Sequence, residues 1–375
     1  MNGTDGAVLG PLNVAGRLDR LRPRMTEARC DALLVTDLAN VRYLTGFTGS
    51  AAVLLVGDDQ ALLVTDGRYR TQAAEQLSGS GVAGDVELFV GGGAEQRQAL
   101  VAALSAAPWR RLGLEADAIS WAAQRRWDSE LRESELIPTS GLVEGLRLVK
   151  DEGELARMAH AAAVADAALA DVLSLLSAGT TEADMALALD SAMRRGGAED
   201  RAFETIVASG PNSAKPHARP SDRRMEPGDA VVVDFGAVYD GYRSDMTRTF
   251  FVGGAPSGDM ARVLEVVAAA QAAGVAAVGP GVVTGDVDRA CRQLVADAGF
   301  GPAFEHGTGH GVGLHVHEAP AVAAGATAIL EPGVVVTVEP GVYLAGRGGV
   351  RIEDTVVVTD DGCRPLTRFP KEPVT

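Results

Sequence analysis

Residues 231–251, VVVDFGAVYDGYRSDMTRTFF, admit few local structures. Two apolar runs flank Asp240-Gly241, a dipeptide that accepts the positive φ angles of a tight hairpin turn. With those two residues as the loop, Asp234 lies opposite Thr247 and Asp245 opposite Gly236. The aspartates then become diagonal neighbours on one face, and diagonal positions in a ladder are roughly 7–8 Å apart. Their carboxylates can converge, while Asp240 at the turn reads as a capping or solvated residue.

Residues 334–359, VVVTVEPGVYLAGRGGVRIEDTVVVT, repeat the pattern. They read as two strands around a Gly-rich loop, with Glu339 closing the first strand and Glu353 inside the second. By the two-residue period, Arg351, Glu353 and Thr355 share one face, and Val350, Ile352, Val356 and Val358 take the other. The plain structural alternative for Glu353 is a buried ion pair with Arg351.

Between these two blocks runs EHGTGHGVGLHVHE, residues 305–318, which holds four of the chain's 6 histidines. These are His306, His310, His315 and His317. If both hairpins face this segment, four carboxylates and an imidazole meet in one place. Without cations such a cluster would resist ionisation, because buried like charges raise each other's pKa. Two divalent ions balance four carboxylates, and shared carboxylates hold such ions about 3.5–4 Å apart in two-metal hydrolytic sites. One nitrogen among oxygens favours manganese, cobalt or zinc over a sulfur-rich zinc site. The expected nucleophile is a hydroxide bridging the two metals.

The rest of the chain frames this site. A formal net charge of -16 argues against a nucleic-acid or anionic-membrane surface, which needs clustered Lys and Arg. At 375 residues the chain exceeds a usual single core, so two domains are expected. DALLVTD, AAVLLVG and QALLVTD read as short strands after a helix from Val14 to about Glu27, an alternating α/β layout. ELIPTSGLVEGLRLVKDEGE, 135–154, reads as a break before a helix from Leu155 to Leu176 and another from about Thr181 to Arg195. A strand-dominated remainder is expected after that. LEVVAAAQAAGVAAVGPG, 264–281, reads as a soluble amphipathic helix rather than a membrane span. Residues 1–12 read as a loose lead-in without the basic flank and apolar core of a signal peptide. Cys30, Cys291 and Cys363 are odd in number and widely spaced, which fits a reducing compartment and a cytoplasmic protein.

The blocks DFGAVYDGYRSDMTRTF, HGTGHGVGLHVHE, TVEPGVY and GVRIEDTVVV resemble, in order and spacing, the pita-bread metallopeptidases, within them the Xaa-Pro aminopeptidase and prolidase branch. By contrast, HGTGHGVG alone would say little, since it lacks the Lys-Ser/Thr ending of a phosphate loop. The resemblance implies the fold class α/β (α+β). An amino-terminal creatinase-like α/β domain, 1–145, would precede a pita-bread catalytic domain, 146–375; TDLANVRYLTGFTGSAAVLLV and LLVTDGRY carry the looser amino-terminal likeness. It also implies two divalent metal ions, manganese foremost with cobalt or zinc as alternatives, held by Asp234, Asp245, His310, Glu339 and Glu353.

In that reading Asp245 and Glu353 bridge the ions, and Glu339 doubles as the proton shuttle. His217 and His317 contact substrate and stabilise the tetrahedral intermediate, His306 takes a lesser substrate-side position, and Arg351 braces the carboxylates. His315 has no family role and reads as surface; His160 reads as structural or exposed. A homodimer or homotetramer acting on proline-containing peptides is implied, with neither nucleic acid nor membrane as partner.

A dipeptidase must read a free carboxylate, for which arginine is suited. Some microbial prolidases carry such an arginine just after the histidine block, where this sequence has Ala321 in HEAPAV. The absence tilts the reading towards an Xaa-Pro aminopeptidase, with a dipeptidase as the alternative. A non-catalytic pita-bread peptide-binding protein is a remote third, since such proteins usually lose ligands and all five stand here.

Overall fold

The computed structural model describes residues 9–371, so most of the lead-in expected over residues 1–12 lies outside the described residues. The chain divides into two compact units, Met1–Arg147 and Leu148–Thr375.

The first unit is built on one six-stranded sheet. Its strands are β1 (Ala32–Val35), β2 (Ala52–Val56), β3 (Ala61–Thr65), β4 (Val86–Val90), β5 (Arg111–Glu115) and β6 (Glu135–Thr139), in the order β4-β3-β2-β1-β5-β6. The three apolar runs read as strands are β1, β2 and β3, and they form antiparallel neighbours while the outer strands add in parallel. Leu33, Leu34, Leu54 and Leu55 alternate in direction yet are all buried, so both faces are covered. Six helices accompany the sheet: α1 (Arg17–Glu27), α2 (Leu38–Thr45), α3 (Arg70–Gly79), α4 (Gly93–Ala106), α5 (Trp121–Glu130) and α6 (Glu144–Arg147). Helix α1 starts three residues later than its apolar pattern, because Gly16 before it takes the left-handed φ of 75°.

A buried carboxylate organises one end of this sheet. Glu115 closes β5 and accepts hydrogen bonds from the Thr36 and Asp37 amides at 2.6 and 2.8 Å and from Asn40 Nδ2 at 2.7 Å. Tyr43 is core here: its hydroxyl donates to the Leu146 carbonyl, and the Arg17 guanidinium lies 4.0 Å over its ring.

The second unit begins with α7 (Glu152–Val172) and α8 (Glu182–Arg195), the two helices expected there. Asp151 and Glu154 form a reciprocal capping box at the start of α7, and Thr181 caps α8. The remainder is strand-dominated, as expected, although helices interrupt it. Besides α9 (Gly258–Ala277), which covers most of the amphipathic segment expected at 264–281, a further helix, α10 (Thr284–Asp297), buries Val287, Cys291 and Val295 along one stripe. Both α7, with the turn that follows it, and α9 are long and apolar enough to cross a membrane by length and composition. Each instead gives a stripe to a core: Ala165 and Leu169 from α7, Val263 and Val267 from α9.

The strands of this unit are β7 (Asp200–Arg201), β8 (Ile206–Ser209), β9 (Ala230–Phe235), β10 (Ala237–Tyr239), β11 (Tyr242–Arg243) and β12 (Met246–Phe251), followed by seven more. Those are β13 (Gly309–Gly311), β14 (Glu318–Val322), β15 (Val335–Val338), β16 (Gly341–Leu344), β17 (Gly348–Arg351), β18 (Asp354–Thr359) and β19 (Gly362–Pro365). They pair as β12-β9-β8, β14-β13-β15-β18-β19, β11-β10-β7 and β16-β17.

The first hairpin has the register counted from its turn, with Asp234 opposite Thr247 and φ angles of 44° and 72° at Asp240 and Gly241. Its second half is interrupted beyond Phe235, where Gly236 packs so closely on the Ser244 carbonyl that a Cβ would lie 1.9 Å from that oxygen. Asp240 is not free in solvent: Arg157 Nε donates to it at 2.5 Å. The second hairpin differs from expectation. It is four strands, not two, because Pro340 cannot extend the ladder and residues 352–353 interrupt the returning strand. The hairpin thus passes from the five-stranded sheet into the two-stranded one and back, and Glu339 and Glu353 sit at the two crossings.

Candidate metal centre

The crossings, the first hairpin and the histidine segment surround a cleft of about 520 Å³. Every residue singled out from the sequence as a site residue lines it. At its floor, ligand oxygens of Asp234, Asp245 and Glu353 lie within 4.8 Å of one another. His310 links this trio to the fourth carboxylate, with Nε2 at 3.7 Å from Asp245 Oδ2 and 3.3 Å from Glu339 Oε1.

His310 stands between two glycines for a steric reason. A Cβ at Gly309 would lie 2.0 Å from the Thr337 carbonyl oxygen, and one at Gly311 would lie 2.1 Å from that of Ala319. Only glycine lets this strand approach β14 and β15 closely enough to carry the imidazole to the carboxylates.

Burial first, and then the neighbouring carboxylates, push Asp245 and Glu353 well above the ordinary carboxylate range; Asp234 is raised by burial against the opposing charge of Arg351. Burial would also raise Glu339, but its hydrogen bond and charge attraction to His310 outweigh that and lower it. The His310 ring is correspondingly raised, against its own burial, by Glu339. Imidazole and carboxylate thus compete for one positive charge, a proton or a metal ion. Among the described residues, Asp234 Oδ1 and Glu353 Oε1 are buried with no hydrogen-bond partner. Two orphaned oxygens, in a cluster whose members resist ionisation, fit a group of divalent cations.

Arg351 reaches Asp234, not Glu353, so the simple ion pair with Glu353 is not formed. Its Nη2 donates to Asp234 Oδ2 at 2.7 Å, Nη1 to the Tyr343 hydroxyl at 2.7 Å, and Nε to Thr247 Oγ1 at 3.1 Å. Thr247 in turn donates to Glu353 Oε2 at 2.7 Å, which satisfies one oxygen of that carboxylate. Tyr343, not singled out from the sequence although it ends the TVEPGVY block, also holds His306: the two side chains meet at 2.9 Å through Nε2. Burial pushes its hydroxyl up to about 12, so it remains a neutral donor at physiological pH.

The other histidines separate by position. His317 packs edge-on to His310 with ring centroids 4.4 Å apart, and burial lowers its pKa, which leaves a neutral N–H donor. Residues 313–317 form bends rather than a strand, so alternation does not apply to them; His315 is half-buried and does not line the cleft. His217 lines the cleft from an exposed loop position. His160 stacks on Tyr239 at 3.9 Å, a structural role.

Three supports were not apparent from the sequence, since each joins segments far apart in the chain. Asp288 on α10 accepts from the Thr308 amide and hydroxyl, and Arg292 donates to the Phe304 and His306 carbonyls, which fixes the His306 loop. Lys150, with a side chain only 1% exposed, pairs at 3.3 Å with Glu318, whose other oxygen accepts the His315 amide. Glu182, fully buried on α8, accepts from Ser209, Asn212 and Ser221, the segment that carries His217.

Comparison with known proteins agrees with this geometry. Metallopeptidase family M24 matches residues 156–360, and the Creatinase/Prolidase N-terminal domain matches residues 17–149. The Xaa-Pro dipeptidase of Bacillus anthracis is 39% identical, covers 96% of this chain and 99% of its own, and superposes with a TM-score of 0.92. The Xaa-Pro dipeptidase of Pyrococcus furiosus is 33% identical over 95% of this chain and 99% of its own. The X-Pro aminopeptidase of Thermotoga maritima is 35% identical, with 93% and 99% coverage and a TM-score of 0.85.

Proposed function

Because the chain belongs to Metallopeptidase family M24 and is a metallo-exopeptidase, we propose that it hydrolyses the Xaa-Pro bond, and that Xaa-Pro dipeptides are its preferred substrates. The observation that carries the activity is the cluster of buried carboxylates with two orphaned oxygens beside His310, at the floor of an open cleft. The preference for dipeptides is supported by relatives of matching length that are Xaa-Pro dipeptidases.

Two divalent ions would be held by Asp234, Asp245, His310, Glu339 and Glu353, with Asp245 and Glu353 shared. Mn(II) is the proposed metal and Co(II) or Zn(II) the substitutes, since four of five donors are hard oxygens. When bound, the ions would supply an activated water and polarise the carbonyl before proline. Glu339, lowered by His310 and therefore ionised, takes a proton from the attacking water and passes it to the departing nitrogen. That proton is indispensable here, because the proline nitrogen is a tertiary amide and a poor leaving group without it. His317 and His217 donate N–H groups to the oxygen on which charge develops. Arg351 favours the ionised form of Asp234 against burial and orients it, and through Tyr343 it sets His306 on the substrate side. The catalytic domain spans 146–375, and the protein works as a homodimer or homotetramer in the cytoplasm, where three free cysteines are at home.

A second reading, the Xaa-Pro aminopeptidase, is favoured by Ala321. It lies directly opposite His310 across the β13–β14 pair, so the place beside the ligand imidazole holds a methyl group and not an arginine. Hydrolysis of a Xaa-Pro dipeptide beside the matching tripeptide, by metal-stripped protein with and without added manganese, separates the two. Manganese-dependent cleavage that is faster on the dipeptide is expected. Cleavage of the tripeptide alone would establish the aminopeptidase, and cleavage of neither would count against the Xaa-Pro activity itself.

A further inference from the structure

Ala321 leaves open how this cleft could recognise a free carboxylate. Among the described residues, two cationic side chains other than histidine line it, Arg351 and Arg219. Arg351 is buried, and its guanidinium is already committed to Asp234, Tyr343, Thr247 and the Pro216 carbonyl. Arg219 is the opposite case. Its side chain is 88% exposed, and its one described ion pair is a 3.8 Å approach to Glu204, itself 66% exposed. A pair that long and that solvated holds the guanidinium weakly.

The backbone beneath Arg219 is, by contrast, firmly held. Ala218 is buried against Ile206 and Ala208, and His217 and Arg219 on either side of it are both exposed and both line the cleft. Two residues further on, Ser221 gives its amide and hydroxyl to buried Glu182 at 3.1 and 2.6 Å. Arg219 therefore combines a fixed attachment point, two residues from a substrate-side histidine, with an exposed planar fork whose one described ion pair is weak. That fork matches a carboxylate in charge and in geometry. The floor of the cleft, rich in carboxylates, would not accept a substrate's own carboxylate; the rim at Arg219 would.

We propose that Arg219 is the specificity-determining residue that reads the free C-terminal carboxylate of a Xaa-Pro dipeptide, in the role Ala321 cannot fill. This rests on the Xaa-Pro reading above. The test compares a Xaa-Pro dipeptide with the same dipeptide as its C-terminal amide, using manganese-loaded enzyme and the variants Arg219→Ala and Arg219→Lys. For the unaltered enzyme the dipeptide is expected to be the better substrate. In Arg219→Ala the dipeptide-to-amide ratio of kcat/KM should fall about tenfold, the order expected for one charge-assisted pair, through KM for the dipeptide and not through kcat. Arg219→Lys, which keeps the charge and loses the fork, should recover part of the ratio. An unchanged ratio in Arg219→Ala, or equal losses on both substrates, would overturn the assignment while leaving the Xaa-Pro activity standing. No hydrolysis of either substrate by the unaltered enzyme would overturn both.

Discussion

Glu115 in the amino-terminal unit and Glu353 in the proposed metal centre are both buried carboxylates raised by burial, yet their surroundings differ in kind. Glu115 is enclosed by donors: two amides, a hydroxyl and the Asn40 side chain share its oxygens. Glu353 has Thr247 on one oxygen, nothing on the other, and further carboxylates as neighbours. A satisfied buried carboxylate ties segments together. An orphaned one among like charges is tolerable only if a cation is part of its environment. The difference separates architecture from chemistry inside one chain, and Glu182 extends it, since a carboxylate satisfied as fully as Glu115 lies in the same unit as the cluster.

Substituting Glu353→Gln should sharpen the contrast most. Removing a metal ligand is expected to lower kcat/KM on a Xaa-Pro substrate by on the order of 10³-fold, equivalent to about 4 kcal/mol. The metal-free variant should unfold at the same temperature as the metal-free parent or higher, because a repelling charge has gone. A variant that keeps its activity, or one that loses stability without metal, would place Glu353 with Glu115 instead.

Glu182→Gln comes next. An amide must present N–H groups to at least one set of donors that now face oxygen, and the loop from Ser209 to Ser221 should shift. Misplacement of His217 by about 1 Å is expected to cost up to roughly 100-fold in kcat/KM. Metal content should stay at the parental level, which metal analysis of the purified variant would check. Loss of metal would show instead that Glu182 supports the cluster.

Glu115→Gln probes the other side of the comparison. Donors at Thr36, Asp37 or Asn40 would lose their acceptor, at a cost of roughly 2 kcal/mol to the unfolding of the amino-terminal unit. The specific activity of folded protein should not change. Limited proteolysis or denaturant titration reads the first quantity and titration of active sites the second; a fall in activity per active site would break the division between the two kinds of carboxylate.

How far this division could be read beforehand follows from distance along the chain. Asp234 opposite Thr247 needed only a turn and a count of residues, and the carboxylates and the imidazole proposed as ligands stand in short motifs, so their meeting in one place was legible. The passage of the second hairpin between two sheets was not, because Pro340 announces a break without saying which sheet the chain joins next. The plain alternative for Arg351, an ion pair with Glu353 two residues away, was the locally visible one, and the guanidinium instead crosses to Asp234 on another strand. Glu182, Asp288 and Lys150 act on segments 27 or more, 20 and 168 residues distant, and no local pattern encodes such partners. Helix α10 did carry a signal, apolar residues four apart at Val287, Cys291 and Val295, which an expectation of strands concealed.

The smallest expected effect concerns a carboxylate that is satisfied but only partly buried. Asp31 pairs with Arg111 at 2.7 Å and accepts the Arg110 and Arg111 amides, and the Arg111 hydrogen bond, foremost, lowers its pKa from 3.8 to about 2. A carboxylate depressed in the folded state contributes stability above its ordinary pKa and loses it as the pH falls through the folded value. Stability of the amino-terminal unit attributable to Asp31 should therefore be complete above about pH 4 and gone below about pH 2. Solvent screening keeps the amount modest, since the Asp31 side chain is 26% and that of Arg111 41% exposed. Unfolding temperatures of the parent and Asp31→Asn, measured in steps from pH 5 to pH 2, should differ at the upper end and converge at the lower. Parallel curves would mean that the pair, though well formed, contributes through its neutral hydrogen bonds alone; the comparison would then rest on satisfaction of the oxygens and not on charge.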